Sequence, residues 1–324
     1  MDIMFVYSPM DRPAQGEWYY CTFDTWYYSL GVQFFTLIIF TLISQYITFH
    51  SKTHTMHGTG GGTERGVIPR CLAFIAEHKA TEENNGWVFS MEVSFLEIYN
   101  ETLRDLLRAP DSKNNEECKH DIKVGQDGRR SVTNLTIKTL DPNDRDAVKA
   151  VLTLAAKRRA TGCTDMNATS SRSHSVFTLN LTARHEEKNQ MIRGSLNLID
   201  LAGSERLDRS NAMDQRANET KSINKSLSSL TDVFTAIGQR ASHVPYRNSK
   251  LTYLLEPALS GDGKTCMIVN VSPTEASRQE SICSLRFASK VNACELGKAK
   301  RTVEEVTKQN GSSNTQGRNL KSKT

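Results

Sequence analysis

The residues best suited to chemistry lie in two short stretches, and the first of them is NLIDLAGSE. It places Asp200 at the end of a predicted apolar strand and Gly203 three residues later. Ligands bind where strands end in open α/β sheets, and a glycine lets its N–H approach an anion closely. An ordinary strand that ends in a turn often has the same D-x-x-G pattern. The stretch therefore indicates a phosphate site only in combination with other residues.

The second stretch, NATSSRSHS, runs from Asn167 to Ser175 between a predicted helix and a predicted strand. Serine hydroxyls can ligate Mg²⁺, and Arg172 can pair with a carboxylate when a gate closes. A solvated loop or a phosphorylation site would have the same composition. Hydrolysis of a nucleoside triphosphate needs backbone N–H groups around the phosphates, a hydroxyl on Mg²⁺ and a carboxylate that orders the metal's water. The two stretches can supply the hydroxyl and the carboxylate.

Composition indicates a soluble globular chain of 324 residues, with 38% hydrophobic and 24% charged residues. This length fits one large domain or two small ones. The net charge of +5 is too small to argue for nucleic acid, but it suits an acidic protein polymer or a membrane surface. The seven cysteines show no C-x-x-C spacing. They predict reduced thiols in a cytosolic protein and neither a disulfide framework nor a zinc site.

Alternating strands and helices are predicted to position these residues from Lys52 onward. Strands are predicted at 87–95, 174–185, 194–203 and 266–273, with further strands around an Asp127–Gly128 turn. Helices are predicted at 144–160, 223–238 and 280–293, the second ending at Gly238. The alternation favours an α/β fold with a central, mostly parallel-type mixed sheet and helices on both faces.

The first 51 residues differ from the rest, and we expect them to be an aberrant or non-native segment. The apolar run Leu30–Phe49 is long enough to span a bilayer of about 30 Å. Three interpretations remain open for this run: a transmembrane helix, a buried strand or helix pair, or a segment that does not belong to the functional protein, such as a translated intron. A secretory signal is not expected, because the run starts late and lacks a basic leader.

Several motifs, in order, resemble the kinesin motor domain over roughly residues 52–300. They are KTHTM, RGVIPR, EIYNETLRDLL, NATSSRSHS, LIDLAGSE, SINKSLSSL, HVPYRNSKLTYLL and CSLRFASKVN. The end of the domain, KVNACELGKAKR, is most similar to minus-end-directed kinesins with C-terminal motors. The resemblance implies a P-loop NTPase-like fold and a microtubule-stimulated ATPase that uses ATP and Mg²⁺. It also implies movement along microtubules in the cytoplasm and cytoskeleton, without nucleic acid or a membrane anchor.

The resemblance also implies roles for individual residues. Lys52 would contact the β- and γ-phosphates, Ser170 would lie beside the nucleotide, and Gly203 would sense the γ-phosphate. Mg²⁺ would be held by Thr53, Ser171 and, through water, Asp200. Arg172 and Glu205 would form a gate pair around the lytic water, which Asn224 would also touch. Tubulin would be contacted by Lys225, His243, Tyr246, Arg247 and Lys250.

The phosphate loop of the family reads G-x-x-x-x-G-K-T, and this chain departs from it. Aligned on Lys52, Tyr46, Phe49 and Ser51 stand at usual glycine positions. The family's opening strand also has no clear counterpart. A second G-K-T, at 263–265, is followed by a predicted strand and not by a helix, so it is not expected to replace the loop. The alternative function is therefore a non-hydrolysing microtubule-binding module.

Residues 301–324 are rich in Asn, Ser, Gly, Lys and Thr and predict a disordered tail without heptads. A dimer, if one forms, would use regions outside this chain.

Overall fold

The structure is a computed structural model in which eleven strands and six α-helices are described. It describes residues 5–6, 35–41, 52–58, 65–108, 119–125, 130–161, 172–203, 214–260, 264–271, 274–294 and 303–305. The strands are β1 Phe5–Val6, β2 Phe35–Thr41, β3 Trp87–Tyr99, β4 Thr102–Asp105, β5 Ile122–Val124, β6 Arg130–Val132, β7 Lys138–Thr139, β8 His174–His185, β9 Gln190–Asp200, β10 Lys264–Asn270 and β11 Val303–Glu305. The helices are α1 Lys52–His57, α2 Val67–Asn84, α3 Arg145–Thr161, α4 Asp214–Gly238, α5 Lys250–Leu259 and α6 Arg278–Asn292.

The central sheet is mixed, with strand order β1-β10-β2-β9-β8-β3-β4, and β7 and β11 pair with β3 and β9. Only the β10–β2 and β2–β9 pairings are parallel among the described strands. The expectation of a mostly parallel sheet is therefore wrong. The longest strands, β3, β8 and β9, pair antiparallel. Short turns join β3 to β4 and β8 to β9, and a short turn can connect only antiparallel neighbours.

Helices cover both faces of the sheet, as predicted. Neighbouring side chains along β3 alternate between the faces: Phe95 belongs to one buried cluster and Leu96 to the other. The first cluster contains apolar residues of α1, α2 and α3, and the second contains residues of α4, α5 and α6. This alternation follows from the two-residue period of a strand. It places the buried residues described here in two clusters, one on each face of the sheet.

Most predicted elements from Lys52 onward are present. The strand predicted at 174–185 coincides with β8, and α4 ends at Gly238 as predicted but begins at Asp214. Strands β5 and β6 pair as a hairpin, whereas Asp127 and Gly128 lie outside the described residues. The second G-K-T leads into β10, as expected.

Both ends of the chain contribute strands to the sheet. Phe35–Thr41, within the apolar run, forms a strand between β10 and β9, and Phe5–Val6 pairs with β10. Over residues 35–41 the run is therefore a strand and not a helix. No described helix combines the length and apolar character needed to cross a membrane. In the segment expected to be disordered, Val303–Glu305 pairs with β9, which departs from that expectation.

The approach of α2 to α1 depends on a glycine. A Cβ added to Gly66 would lie 2.4 Å from both the carbonyl carbon and the oxygen of Met56. Met56 itself is fully buried in the core. Because backbone atoms cannot move away as a flexible side chain can, any larger residue would push α1 and α2 apart.

We expect Gly66→Ala to lower the free energy of unfolding by about 1–3 kcal/mol, the usual cost of overpacking. Urea unfolding followed by circular dichroism measures it. Gly238→Ala is the matched control, because its nearest neighbour would be the Cys294 sulfur at 3.3 Å, on a side chain that can rotate. Equal unfolding midpoints for Gly66→Ala and the unsubstituted chain would contradict the predicted clash.

Candidate functional site

Three parallel strands, β2, β9 and β10, end at one edge of the sheet. Asp200, the last residue of β9, is in register with Ile39, and Asn270 at the end of β10 is in register with Thr41. Ten residues, 42–51, separate β2 from helix α1, which packs against both β2 and β9. The Asn270 side-chain amide donates to Thr55 Oγ1 at 3.4 Å. The order strand, loop, helix at the carboxyl ends of parallel strands is where α/β sheets bind ligands.

Asp200 is held at this edge by one of its two oxygens. Its side chain is buried, and Oδ2 accepts a hydrogen bond from Arg159 Nη1 at 2.8 Å. Oδ1 is also buried and has no hydrogen-bond partner among the residues that the structure describes. A buried carboxylate oxygen without a donor is costly. The arrangement therefore suits a water molecule or a hydrated cation at Oδ1.

Arg159 is the centre of a buried polar cluster. Its guanidinium donates to the Ser173 carbonyl at 2.9 Å and to Ser175 Oγ at 3.2 Å. Ser173 Oγ donates in turn to Glu97 Oε1 at 2.6 Å, and the same carboxylate oxygen lies 3.8 Å from Arg159 Nε. One arginine thus joins two buried carboxylates to the start of β8. The cluster fixes the end of the serine-rich stretch relative to Asp200.

The sequence analysis missed Arg159, although a signal for it exists. Val148, Val151 and Ala155 are buried on one stripe of α3, and Arg159 continues that stripe four residues later. An arginine at an apolar position of an amphipathic helix needs buried partners of opposite charge. Pattern alone could have marked the residue, but it could not have identified Asp200 and Glu97 as its partners.

His174 links the Asp200–Gly203 turn to helix α4. Its Nδ1 accepts a hydrogen bond from the Ala202 N–H at 3.0 Å, and its Nε2 lies 2.8 Å from Ser226 Oγ. Because Nδ1 accepts a hydrogen bond, the neutral ring carries its proton on Nε2. This N–H donates a hydrogen bond to Ser226 Oγ. The Ser226 hydroxyl in turn donates a hydrogen bond to the Ile223 carbonyl at 2.8 Å. This role of His174 was not predicted.

The other predicted nucleotide-site residues fall into two groups. Gly203 is buried after β9, Arg172 is half-buried before β8, and Asn224 is exposed on α4. These positions and Asp200 belong to elements that meet at the same edge or border it. Lys52 and Thr53 are the first residues of α1, and their side chains lie outside the described structure. The described residues do not include Ser170, Ser171 and Glu205.

The predicted tubulin contacts lie on or beside α4 and α5. Lys225, His243 and Arg247 are exposed, while Tyr246 and Lys250 are half-buried. The guanidinium of Arg247 lies 5.7 Å from the Tyr253 ring centroid, and Lys250 Nζ lies 3.6 Å from Asp121 Oδ1. Burial, with a smaller contribution from the charge of Glu256, raises the pKa of Tyr246 to about 12. The Tyr246 hydroxyl is therefore neutral at physiological pH.

No group of three His, Cys, Asp or Glu side chains within the described ranges could hold a metal ion. A cation here would depend on hydroxyls, water and a bound anion. Of the predicted Mg²⁺ ligands, only the Asp200 side chain is described, and its unpartnered Oδ1 fits a water-mediated contact.

Residues 38–294 match the kinesin motor domain family. The chain belongs to this family. Kinesin-like protein KIN-14M of Arabidopsis thaliana is 48% identical over 266 residues, which are 79% of this chain and 35% of that protein. Claret segregational protein of Drosophila melanogaster is 45% identical over 257 residues, 78% of this chain and 35% of that protein. The chain thus spans about a third of these curated kinesins.

Among solved kinesin structures, the C-terminal motor domain of Kar3 from Candida glabrata has a TM-score of 0.66 and 37% identity. The match covers 85% of this chain and 78% of that one. The predicted similarity to C-terminal-motor kinesins is thereby confirmed. The family match also includes part of β2, which precedes the boundary at Lys52 drawn from the sequence motifs.

We expect Arg159→Ala to destabilise this kinesin domain by about 3–5 kcal/mol, because Asp200 and Glu97 would stay buried without their cation. Urea unfolding measures the change. Lys157→Ala, an exposed charge on the same helix, is the matched control and should cost less than about 0.5 kcal/mol. If both variants unfold at the same urea concentration, Arg159 does not hold the cluster together.

His57, the last residue of α1, gives the domain a predictable pH response. Burial lowers the pKa of His57 below its ordinary value of 6.5; the charge of Asp200 raises the pKa, and that of Arg159 lowers it. The ring stacks on Phe95 with centroids 5.9 Å apart. The folded state therefore favours neutral His57, and between its lowered pKa and 6.5 the unfolded chain binds more protons.

Stability should consequently fall as pH is lowered through 6.5, and His57→Gln should reduce this dependence. The measurement is urea unfolding at pH 7.5 and at pH 5.5 for both proteins, and the relevant quantity is the difference between their two pH responses. Identical pH responses would show that His57 does not contribute.

Proposed function

We propose that this chain is a microtubule motor domain that binds and hydrolyses ATP at the sheet edge and acts on microtubules in the cytoplasm. The observation that carries the proposal is Asp200, whose Oδ2 is fixed by Arg159 while Oδ1 is left for a water-mediated contact. A carboxylate that orders metal-bound water is a recurring part of phosphoryl-transfer sites. Family membership supports the same chemistry.

In this proposal the nucleotide is held with Mg²⁺, which neutralises charge that develops on the phosphates. Lys52 would bind the β- and γ-phosphates, and Thr53 and Ser171 would ligate the cation. Asp200 would accept a hydrogen bond from a water held by the cation, and Ser170 would lie beside the nucleotide. Ser171 lies two residues before Ser173, whose carbonyl and hydroxyl are held by Arg159 and Glu97.

Three further residues would act around the γ-phosphate. The Gly203 N–H would sense it, and Arg172 with Glu205 would close over the lytic water and orient it. Asn224 would extend the water network toward α4. Ala202, next to Gly203, is joined to α4 by hydrogen bonds through His174 and Ser226. A displacement of this turn would therefore be transmitted to the helix.

On α4, α5 and the intervening segment, the residues assigned to tubulin are Lys225, His243, Tyr246, Arg247 and Lys250. Three of them are exposed. Basic side chains on these elements complement an acidic lattice.

A second candidate, a microtubule-binding module that does not hydrolyse ATP, is favoured by one observation. Residues 42–51, which connect β2 to α1, contain no glycine. Phosphate loops use glycine because their turns need backbone angles that other residues adopt only with strain. Hydrogen bonds from such a loop to a charged group contribute about 1.5–3 kcal/mol each.

We expect isothermal titration with Mg-ATP to give a dissociation constant far above the micromolar range for this chain. Replacing Tyr46, Phe49 and Ser51 together by glycine should tighten binding, because the loop could then adopt the backbone angles that phosphate loops use. The matched control is the same triple variant carrying Asp200→Asn, which should lose much of the gain.

The outcomes separate the two candidates. Tighter binding by the triple variant supports a nucleotide site at the sheet edge that the loop of this chain weakens, whereas weak binding by both proteins supports the non-hydrolysing module. Micromolar binding by the unsubstituted chain would contradict the expected effect of the loop.

Microtubule co-sedimentation tests the proposed binding to microtubules. Binding should weaken with salt, and Arg247→Glu should cost about 1–3 kcal/mol because like charges would then oppose. Lys188→Glu, an exposed reversal in the β8–β9 turn, is the matched control and should bind normally. A folded chain that does not pellet at low salt, or an Arg247→Glu variant with normal affinity, would place the contact elsewhere.

A further inference from the structure

The tight turn between β3 and β4 contacts both helices that carry the predicted tubulin residues. Asn100 and Glu101 form this turn, and flanking Tyr99 and Thr102 pair across the hairpin. Ser222 Oγ donates to Asn100 Oδ1 at 2.5 Å. The Lys250 backbone N–H donates to Glu101 Oε2 at 2.9 Å. Two adjacent side chains therefore reach the helix α4 and the first residue of α5.

The backbone conformation of this turn is one that glycine adopts more easily than asparagine or glutamate does. Asn100 and Glu101 have φ angles of +49° and +57°. Glycine adopts this left-handed region freely, whereas other residues adopt it only with strain, which is smaller for asparagine. A glutamate at the second position is therefore less favourable locally than glycine. Its contact with the N-terminus of α5, where a carboxylate is stabilised by the helix dipole, offsets that cost.

The turn is also rigidly attached to the sheet. Arg104 lies with its guanidinium 4.7 Å from the Tyr99 ring centroid and 3.7 Å from Glu97 Oε2. Residues on the β3 side, up to Ile98, pair with β8. The turn thus extends from the strand that carries Glu97 of the Arg159 cluster. Through its two contacts, the turn holds α4 and α5 in position relative to the same strand.

The helix positions that the turn contacts are next to the predicted tubulin contacts. Ser222 lies three residues before Lys225 on α4, and the amide bonded to Glu101 belongs to Lys250 itself. Arg247 is in the 3₁₀ turn directly before α5. We propose that Asn100 and Glu101 are positioning residues that hold α4 and α5 at the spacing required by one microtubule surface. This inference rests on the proposed microtubule binding.

The test compares four proteins: the unsubstituted chain, Asn100→Gly with Glu101→Gly, Asn100→Asp with Glu101→Gln, and Asn189→Gly. The double-glycine variant keeps the turn but removes both side-chain acceptors. The Asp/Gln variant keeps an acceptor at each position and should restore binding. Asn189→Gly is the matched control, because Asn189 has φ +48° in the distant β8–β9 turn.

Microtubule co-sedimentation should show an affinity about 3- to 10-fold weaker for the double-glycine variant, within the range of positional coupling. Its unfolding midpoint should stay close to that of the unsubstituted chain, because the relief of backbone strain offsets the loss of the two hydrogen bonds. The other two variants should bind as the unsubstituted chain does. Normal binding by the double-glycine variant, or weakened binding by Asn189→Gly to the same degree, would overturn the proposal.

Amide hydrogen exchange without microtubules provides the second readout. The double-glycine variant should exchange faster at the Lys250 amide and in α4 around Ser222. Unchanged exchange at both sites would overturn the positioning role. If the unsubstituted chain does not bind microtubules, the proposed function fails, and hydrogen exchange alone still decides whether the turn holds the two helices.

Discussion

The buried ion pair between Arg159 and Asp200 is the contact on which the rest of the site depends. Transferring a guanidinium and two carboxylates into a core is costly unless each charge is compensated and hydrogen-bonded. Here α3 supplies the cation, while β3 and β9 supply Glu97 and Asp200. Ser173, just before β8, and Ser175 within it accept further hydrogen bonds from the guanidinium. The cluster is complete only when all four elements are docked, so it couples the local geometry of the site to the global fold.

The end of β9 and helix α4 are joined over a short distance because β8 and β9 pair in register. Ser175 lies opposite Asp200, so His174 is next to the turn that follows β9. Its ring spans from the Ala202 N–H to Ser226 on α4 with two hydrogen bonds. Protonation of Nδ1 would remove the first bond, and displacement of α4 would strain the second. The sheet edge and the helix with the predicted tubulin residues therefore share one side chain.

Much of this arrangement was predictable from patterns, and the remainder depended on tertiary contacts. Period-two alternation predicted β8, and the apolar stripe of α4 predicted its end at Gly238. Strand direction was not predictable, because it depends on which strands become neighbours. Asp200 was recognisable at the end of an apolar strand before a glycine. The buried partners of Arg159 and Ser226 were not, since they lie 41 and 52 residues away in sequence.

The site divides into a half that the core enforces and a half that depends on the loop before α1. Glu97, Arg159, Ser173, Ser175 and Asp200 all come after residue 86, and the hydrogen bonds described among them join α3, β3, β9 and the start of β8. These bonds between core elements hold Asp200 in its position. Phosphate binding depends instead on the backbone angles that the loop residues can adopt. A glycine-free loop can consequently weaken nucleotide binding without removing the ion-pair cluster or the His174 link to α4, whose bonds are made by other residues.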